Sequence, residues 1–431
     1  MPAGHSPSPS PPEAGGSGVE AASRELVEHF FRHEYGQLVA SLTRRLGLRY
    51  WSLAEDVAQA ALERALRSWS LRGIPANPTA WLYRAAYHRA LDVVRRDLRF
   101  AQVALAEATE PWQAAEMSAP DAAAIEDDLL RMIFVCCDDA VPVESQLALA
   151  LKTLCGFGNR EIGRALLANE ATIAKRIVRA KERLRETGLE PAALDDDALR
   201  RRLPRVQSVV YLLFNEGYCS TSPERLVREE LCEEAVRLAW LLAEHPTTRG
   251  PCSSALLALL LFHAARLGTR IDAAGNLNRL HEQDRSQWNS DVLKAAFHWF
   301  RQATQGEVAT AYHAEAWIAA EHCFAKSFAE TNWDRIIAAY DLLQRLAPSP
   351  IHALNRAIAV AQRDGPAAGL AALAQIPADD APEGYYLWHA VRADLLARAG
   401  DATASQAELK LAIELAPTHA ERRLLEKRWP A

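Results

Sequence analysis

Helical periodicity is the feature that most constrains this chain. Apolar residues recur at spacings of three and four along nearly all of its 431 residues, and alternating runs of β-branched residues are absent. Such a spacing places apolar side chains on one face of an α-helix, whereas a half-buried strand needs strict alternation. We therefore predict an all-α fold. In the N-terminal half we expect the strongest helices at about residues 23–46, 54–69, 77–98, 127–137, 144–154, 159–167 and 171–186.

The composition is typical of a soluble protein with more than one domain. The chain is 49% hydrophobic and 24% charged, and its length exceeds what one ordinary core needs. It has no run of about 18 apolar residues, so we expect no membrane span. The densest apolar run, at 255–265, is interpreted as a buried helix. Seven cysteines without metal-finger spacing indicate a reducing cytoplasm, with adjacent Cys136 and Cys137 as core residues.

The two ends of the chain differ in character. Residues 1–21 are rich in Pro, Ser and Gly and lack an apolar stretch, which predicts a disordered tail and not a secretory signal. After about residue 200 the sequence changes to helix pairs rich in Ala and Leu. Residues 387–417 have small residues where two helices would cross and Gly400-Asp401 where they would turn, which resembles a tetratricopeptide repeat. A weaker copy is expected at 333–375.

Charge is unevenly distributed in a chain whose formal net charge is −6. Residues 22–100 hold 13 Arg against eight acidic residues, residues 101–158 hold ten acidic against two basic residues, and residues 159–186 hold eight basic against four acidic residues. Taken singly, each block fits a solvated helix face. Together, two basic blocks separated by an acidic one favour two contacts with polyanions, joined by a segment that avoids them.

Residues 159–186 have the pattern of a helix-turn-helix. Residues 168–170 form the predicted turn, and Thr172 lies in the first turn of the second helix. Apolar residues of the first helix share one face: Ile162, Ala165 and Leu166. Those of the second helix form a stripe: Ile173, Ile177, Ala180 and Leu184. A helix-turn-helix packs such a stripe inward and presents its other face to the DNA major groove.

The outward face of the second helix carries Lys175, Arg176 and Arg179. Long cationic side chains suit a DNA-facing surface because they neutralise phosphates and can donate to guanine edges. A basic surface helix in an ordinary helical hairpin is the alternative that this segment leaves open by itself.

Three segments resemble conserved regions of sigma-70-type factors. ESQLALALKTLCGFGNREIGRALLANEATIAKRIVRAKERLRE, at 144–186, resembles the fourth region, which reads the −35 promoter element. AEDVAQAALERALRSW, at 54–69, is similar to the helix of the second region that docks on the polymerase clamp. NPTAWLYRAAYHRALDVVRRDLR, at 77–99, is similar to the helix that melts and reads the −10 element. Two regions in this order, without the regions between them, indicate the extracytoplasmic-function class.

Further motifs narrow the resemblance to a subgroup with a fused tetratricopeptide-like domain. They are DDLLRMIFVCC at 127–137, YLLFNEGY at 211–218 and HEQDRSQW at 281–288. The predicted organisation is a tail at 1–21, region 2 at 22–100, an acidic linker at 101–126, region 4 at 127–187, a connector at 188–203 and a tetratricopeptide-like helical domain at 204–431.

The resemblance implies that Asp56 and Gln59 contact core RNA polymerase. The alternative is that Asp56 and Glu55 only favour a helix N-terminus through its dipole. Ala60 stands where the family often has an acidic residue.

Strand opening needs aromatic faces that stack on unpaired bases and cations that hold phosphates. We interpret Trp81 as a core residue. The resemblance assigns −10 recognition to Tyr87, His88, Arg95 and Arg96, with His88 where the family commonly has Asn. It assigns −35 recognition to Arg160, Thr172, Lys175, Arg176 and Arg179.

YLLFNEGY interrupts an apolar helix with polar residues. We expect Gly217 to supply a turn there, with Asn215 and Glu216 holding two domains together. The sequence contains no catalytic, phosphate-binding or metal-binding motif, so we expect neither an enzyme nor a cofactor.

The sequence therefore predicts a cytoplasmic sigma factor whose partners are bacterial core RNA polymerase, promoter DNA and a protein partner or ligand of the C-terminal domain. We expect that domain to act as a built-in control module. Two alternatives remain open: a repeat-domain interaction scaffold with a degenerate sigma-like half, and a DNA-binding repressor.

Overall fold

The computed structural model describes residues 34–104, 126–166, 168–191, 193–220, 225–272, 275–377, 384–416 and 419–428. Within these residues every regular element is a helix, and the only bridge between extended residues joins Ile271 to Leu277. The predicted all-α fold is confirmed. The chain divides into two compact units, 1–195 and 196–431. The predicted tail and residues 105–125 of the predicted acidic linker lie outside the described residues.

The N-terminal unit contains seven helices among its described residues. They are α1 (34–46), α2 (Trp51–Arg72), α3 (Pro78–Ala104), α4 (Asp128–Cys136), α5 (Val143–Thr153), α6 (Asn159–Ala165) and α7 (Glu170–Glu186). Within the described residues the helices predicted from periodicity are present, and residues 23–33 of the first predicted helix lie outside the described residues. A single 3-10 turn, Leu48–Tyr50, joins α1 to α2.

Glycines and caps fix the helix ends. Gly47 follows the end of α1 and Gly73 follows the end of α2, with φ of 86° and 81°, in the region that residues with a Cβ rarely adopt. Asp127 caps α4 by accepting a hydrogen bond from the Leu130 N–H at 2.7 Å. Gly73 explains why α2 stops at Arg72, six residues before the proline that opens α3.

The core of this unit joins aromatic and aliphatic side chains of its helices. Trp51 and Trp69 of α2 are 1% exposed, and Leu82 of α3 and Phe134 of α4 are fully buried. Cys136 and Cys137 are buried, which confirms their predicted place in the core. Burial raises the pKa of the Cys136 thiol well above its usual value, so this thiol stays protonated.

The C-terminal unit contains helices α8–α18 among its described residues. They are α8 (Asp196–Tyr218), α9 (Glu229–Glu244), α10 (Pro251–Ala264), α11 (Ser290–Ala303), α12 (Ala311–Phe324), α13 (Trp333–Leu346), α14 (Pro350–Asp364), α15 (Pro366–Leu373), α16 (Tyr386–Ala399), α17 (Ala402–Leu415) and α18 (His419–Arg428). Helix α8 begins at Asp196, inside the segment expected to be a connector.

Helix α10 contains the densest apolar run of the sequence. Ten of its residues, Ser253–Phe262, are buried, as predicted for 255–265. Within the described residues, the stretch Pro251–Thr269 is long and apolar enough to cross a membrane by length and composition. The sequence predicts no such stretch. Of its residues, 72% are buried inside the protein. A core helix of a globular unit meets the same criterion.

The last helices form antiparallel pairs. In α16 and α17 the chain turns at Gly400, whose φ is 91°, and Asp401 caps α17 by accepting from the Ala404 N–H at 3.0 Å. The small residues Ala393 and Ala412 are fully buried where the two helices cross, as the sequence predicts. Helices α13 and α14 form the second predicted pair, within 333–375.

Gly217 differs from its prediction. It lies inside α8, one residue before the helix ends, and does not form a turn. A Cβ at this position would come within 2.7 Å of the Cys232 Sγ and 2.9 Å of the Arg228 carbonyl oxygen. Its carbonyl accepts a hydrogen bond from the Arg228 N–H at 2.7 Å. The glycine therefore serves the close approach of the chain that leads into α9. Glu216 is buried beside it, where it accepts from the Ser220 hydroxyl at 2.9 Å.

Candidate nucleic-acid interface

The residues predicted to contact polymerase lie on an exposed face of α2. Asp56 and Gln59 are both exposed, and Gln59 donates to Glu63 at 3.2 Å. Because α2 begins at Trp51, its first turn holds no acidic residue. The helix dipole acts mainly within the first turn. The alternative role of Asp56 and Glu55 as helix-end acids is therefore wrong.

Helices α2 and α3 enclose a groove of about 860 Å³, which we call the α2–α3 groove. Arginines from both helices line it, and its acidic residues are Glu63 and Asp92. The arginines are Arg64, Arg67, Arg72, Arg84 and Arg89. Each of these arginines is exposed. A groove with this excess of positive charge can hold a nucleic-acid backbone.

Trp81 belongs to this groove and was expected in the core. Its ring is partly exposed and lies edge-on to buried Trp69, with ring centroids 5.7 Å apart. The Arg64 guanidinium carbon lies 5.8 Å from its ring centroid. A tryptophan face beside cations suits the stacking of an unpaired base. The core prediction for Trp81 is thus only half correct.

The predicted −10 residues fall into three places. His88 lines the α2–α3 groove. Tyr87 is half-buried on another side of α3, with the Arg45 guanidinium of α1 5.5 Å from its ring centroid. Arg95 and Arg96 are exposed further along α3, outside the lining of the groove. His88 thus shares the groove with Trp81, whereas Tyr87, whose ring centroid lies 6.3 Å from that of His88, is outside the groove lining.

The sequence analysis missed the arginines that line the groove. Arg64 and Arg67 stand three residues apart on α2, as do Trp81 and Arg84 on α3. This spacing places side chains on one face of a helix, so it is a signal from which the groove can be predicted. What the sequence does not show is that the two faces point at each other.

Helices α6 and α7 form the predicted helix-turn-helix. The turn is tight because the Ala168 N–H donates to the Gly163 carbonyl at 2.8 Å, and a Cβ on Gly163 would lie 2.5 Å from the Ala168 carbonyl oxygen. Asn169 caps α7 by accepting from the Thr172 N–H at 2.8 Å. The predicted stripe is buried: Ile173, Ile177, Ala180 and Leu184. In α6, Ile162 is buried but Ala165 is exposed, and the buried neighbour is Gly163.

The predicted −35 residues lie on the outer side of this motif. Arg160, Lys175 and Arg179 are exposed, and Arg176 and Thr172 are partly exposed. In the described residues none of the three α7 cations in this set forms an ion pair with an acidic side chain. They are therefore free to contact phosphates, as a DNA-facing surface requires.

The other cations of α7 have different contacts. The Lys181 Nζ lies 2.6 Å from both carboxylate oxygens of Glu55 on α2, and 5.9 Å from the Trp51 ring centroid. Arg185 donates to the Ser52 hydroxyl at 2.6 Å. The second half of α7 therefore packs on the start of α2, and two of the six cations of α7 are explained by contacts with α2.

The described residues contain no group of three or more His, Cys, Asp and Glu side chains placed to hold a metal ion. The side chains of the site offer positive charge, aromatic faces and hydrogen-bonding groups. Its two parts are the α2–α3 groove and the outer face of α7.

Comparison with known proteins agrees with this geometry. Residues 31–100 match sigma-70 region 2, and they contain α2, the groove and every residue predicted for −10 contact. The chain is 36% identical over 392 residues to the uncharacterized protein R00370 of Rhizobium meliloti (strain 1021), which covers 89% of this chain and 92% of that protein. The chain belongs to the family of that protein and carries a sigma-70 region 2.

The C-terminal half matches a family without an assigned function. Residues 202–304 match the family of unknown function DUF6596, which spans most of α8 and all of α9, α10 and α11. No solved structure matches the chain. Region 2 supports a sigma factor role in transcription initiation, with core RNA polymerase and promoter DNA as partners.

Proposed function

We propose that this protein is a sigma factor of the extracytoplasmic-function class, which binds bacterial core RNA polymerase and directs it to a two-part promoter. The observation that carries the proposal is the match of residues 31–100 to sigma-70 region 2. It is supported by the arginine-lined α2–α3 groove and by a helix-turn-helix with three outward cations in the same unit.

In this proposal each surface has one task. Asp56 and Gln59 present polar groups on the exposed face of α2 to the polymerase clamp. The α2–α3 groove receives the opened −10 strand, with its arginines on phosphates and Trp81 and His88 beside bases. Tyr87, Arg95 and Arg96 contact the strand from outside the groove. Lys175, Arg176 and Arg179 hold the −35 duplex in the major groove.

The experiment is transcription from a random-promoter library by core polymerase with the purified chain. The expected result is enrichment of transcripts that share a two-part upstream motif. Asp56→Ala should abolish the enrichment, whereas Glu144→Ala, which also removes an exposed acid but from α5, should preserve it.

The two DNA contacts can be separated within the same assay. The triple variant Lys175→Ala, Arg176→Ala, Arg179→Ala should lose the −35 part of the enriched motif and keep the −10 part. Arg183→Ala is the matched control on α7, because Arg183 already pairs with Glu186 at 3.2 Å. Binding of promoter duplex without polymerase would favour a repressor, and absence of polymerase binding would favour a scaffold.

The C-terminal unit is proposed as a control module that is part of the same chain. A truncation that tests this should end at Asp195, because α8 begins at Asp196. A change in promoter activity on truncation supports control by residues 196–431. Unchanged activity and unchanged promoter choice would contradict it.

A further inference from the structure

Three helices of the C-terminal unit end beside three arginines, which we call the arginine cluster: Arg266, Arg270 and Arg285. Arg270 donates to the carbonyl of Tyr218, the last residue of α8, at 3.2 Å. Arg285 donates to the carbonyls of His322 and Ala325, at the end of α12, at 2.6 Å each. Arg266 follows the end of α10 by two residues.

Ring contacts show that the cluster is contiguous. The guanidinium carbons of Arg266 and Arg285 lie 5.8 and 5.0 Å from the ring centroid of Trp288. An Nη of Arg266 lies 2.6 Å from the Nδ1 of His263. The His263 ring lies 5.0 Å from that of Tyr218, above which Arg270 stands at 4.1 Å.

No ion pair balances the cluster, and the carboxylate of Glu330 acts on Arg285 only from a longer distance. Within the described residues, no carboxylate lies within ion-pair distance of Arg266, Arg270 or Arg285. A helix C-terminus carries about half an elementary negative charge. Three helix ends therefore offset only part of three full positive charges, and a buried cation without a counter-charge is unfavourable.

Several hydrogen-bonding atoms of the cluster also lack protein partners. Arg266 is only 5% exposed, and its Nε has no partner. The same holds for the Nε of Arg270, the Nη2 of Arg285 and the Nδ1 of His322, all of them buried. Buried polar groups are nearly always satisfied, so three orphaned atoms in the cluster and one beside it, on His322, require an explanation. An oxyanion supplies what is absent, because it brings both negative charge and several acceptor oxygens.

The two histidines beside the cluster do not change this balance. Burial, followed by the nearby arginines, lowers the pKa of both His263 and His322. Both rings are therefore neutral at pH 7, and each can offer a hydrogen bond without adding to the positive charge.

We infer that the arginine cluster is a binding site for a small oxyanion, a phosphate or a carboxylate, in the C-terminal unit. Arg270 is partly exposed, so solvent reaches the cluster on that side. Arg266, Arg270, Arg285 and Trp288 all lie within the segment that matches DUF6596. The site needs neither polymerase nor DNA, and it is independent of the proposed function.

The experiment is thermal unfolding of the full-length protein, titrated with inorganic phosphate, sulfate or succinate at constant ionic strength, with chloride as the balancing anion. A ligand that binds only the folded protein at ten times its dissociation constant raises the midpoint by about 3 °C for a unit of this size. Hydrogen exchange measured in parallel should show added protection in peptides that cover 262–288.

Variants distinguish a site from a general salt effect. Arg270→Gln, at the partly exposed end, should remove the saturable shift while the protein remains folded, and Arg266→Gln should do the same. Arg301→Gln, an exposed arginine on α11, should keep it. A saturable shift with phosphate and sulfate assigns a tetrahedral oxyanion, and one with succinate alone assigns a carboxylate. No saturable shift with any of the three, or an equal shift in Arg270→Gln, overturns the inference.

Discussion

At the scale of single residues, Gly217 marks a tight approach between α8 and the chain that leads into α9. Any side chain there must displace the Cys232 Sγ at 2.7 Å and the Cys232 nitrogen at 2.8 Å. The neighbouring backbone cannot move away easily, because the Arg228 N–H is bonded to the Gly217 carbonyl. A turn was predicted at this glycine because the sequence alone does not show which segment of the chain passes close to it.

Gly217→Ala should lower the free energy of unfolding by about 1–3 kcal/mol, the usual cost of overpacking a tight contact. Urea unfolding followed by circular dichroism measures this loss. The control is Gly268→Ala, where a Cβ meets nothing within 4 Å, and this variant should unfold like the wild type. Equal stabilities for the two variants would show that the α8–α9 approach is looser than described.

His322 makes the stability of the folded protein depend on pH. Burial, with Arg266 and Arg285 nearby, lowers the pKa of His322 to about 3. In the unfolded chain a histidine titrates near about 6.5. Below that pH the unfolded state takes up a proton that the folded state does not, so stability is full above about pH 6.5 and falls steadily towards pH 3.

The contribution of His322 should be about 1.4 kcal/mol for each pH unit below 6.5. Urea titrations at pH 7.5 and 5.5 measure the difference in unfolding free energy. His322→Gln should reduce that difference by about this amount, and His298→Gln, at an exposed position, should leave it unchanged. If both variants keep the wild-type difference, His322 is accessible to protons in the folded protein.

At the scale of elements, α7 combines two roles along one helix. Its first half presents Lys175, Arg176 and Arg179 outward, and its second half directs Lys181 and Arg185 to α2. Periodicity predicted the buried stripe correctly because that signal is local to the helix. Periodicity did not show which cations face outward and which contact α2, because that depends on where α2 lies.

The start of α7 depends on one side chain. Asn169→Ala removes the acceptor for the Thr172 N–H and should cost about 1 kcal/mol of stability, the usual value of an N-cap. Asn169→Asp keeps an acceptor and adds a charge that suits the helix N-terminus, so it should be as stable as the wild type. Thermal unfolding of the three proteins gives the comparison, and equal losses in both variants would assign the effect to something other than capping.

At the scale of the molecule, the N-terminal unit is closed by contacts between residues far apart in sequence. Lys181 and Glu55 are 126 positions apart, and Arg44 of α1 lies 2.6 Å from Asp128 of α4. The Lys181 and Glu55 side chains are only 18% and 20% exposed. Partial burial should make this pair stronger than an ordinary surface ion pair.

A double-mutant cycle with Lys181→Met and Glu55→Gln should give a coupling energy of about 1 kcal/mol or slightly more. The Arg183–Glu186 pair on the same helix is the control, because its side chains are 61% and 66% exposed. Its coupling should not exceed about 0.5 kcal/mol. Similar values for the two pairs would mean that α7 does not stay on α2 in solution.

These contacts define what the sequence could and could not predict. The helices, the helix-turn-helix and the buried Cys136 and Cys137 follow from local periodicity, and the structure has them. That His88 lines the α2–α3 groove and the neighbouring Tyr87 does not follows from how α3 packs on α1 and α2. Such packing joins residues with no fixed spacing, so a single sequence carries no direct signal for it.

Gly36 of α1 allows the contact between α1 and α5 to be tested genetically. A Cβ there would overlap with the carbonyl oxygen of Leu154, at the end of α5, so even alanine at this position forces α1 and α5 apart. Gly36→Ala should leave each helix intact, because alanine favours helices, and should loosen only their contact. In a selection for promoter activity, retention of the Gly36→Ala variant would show that activity does not require the close contact between α1 and α5. Depletion of this variant would show that activity requires that contact.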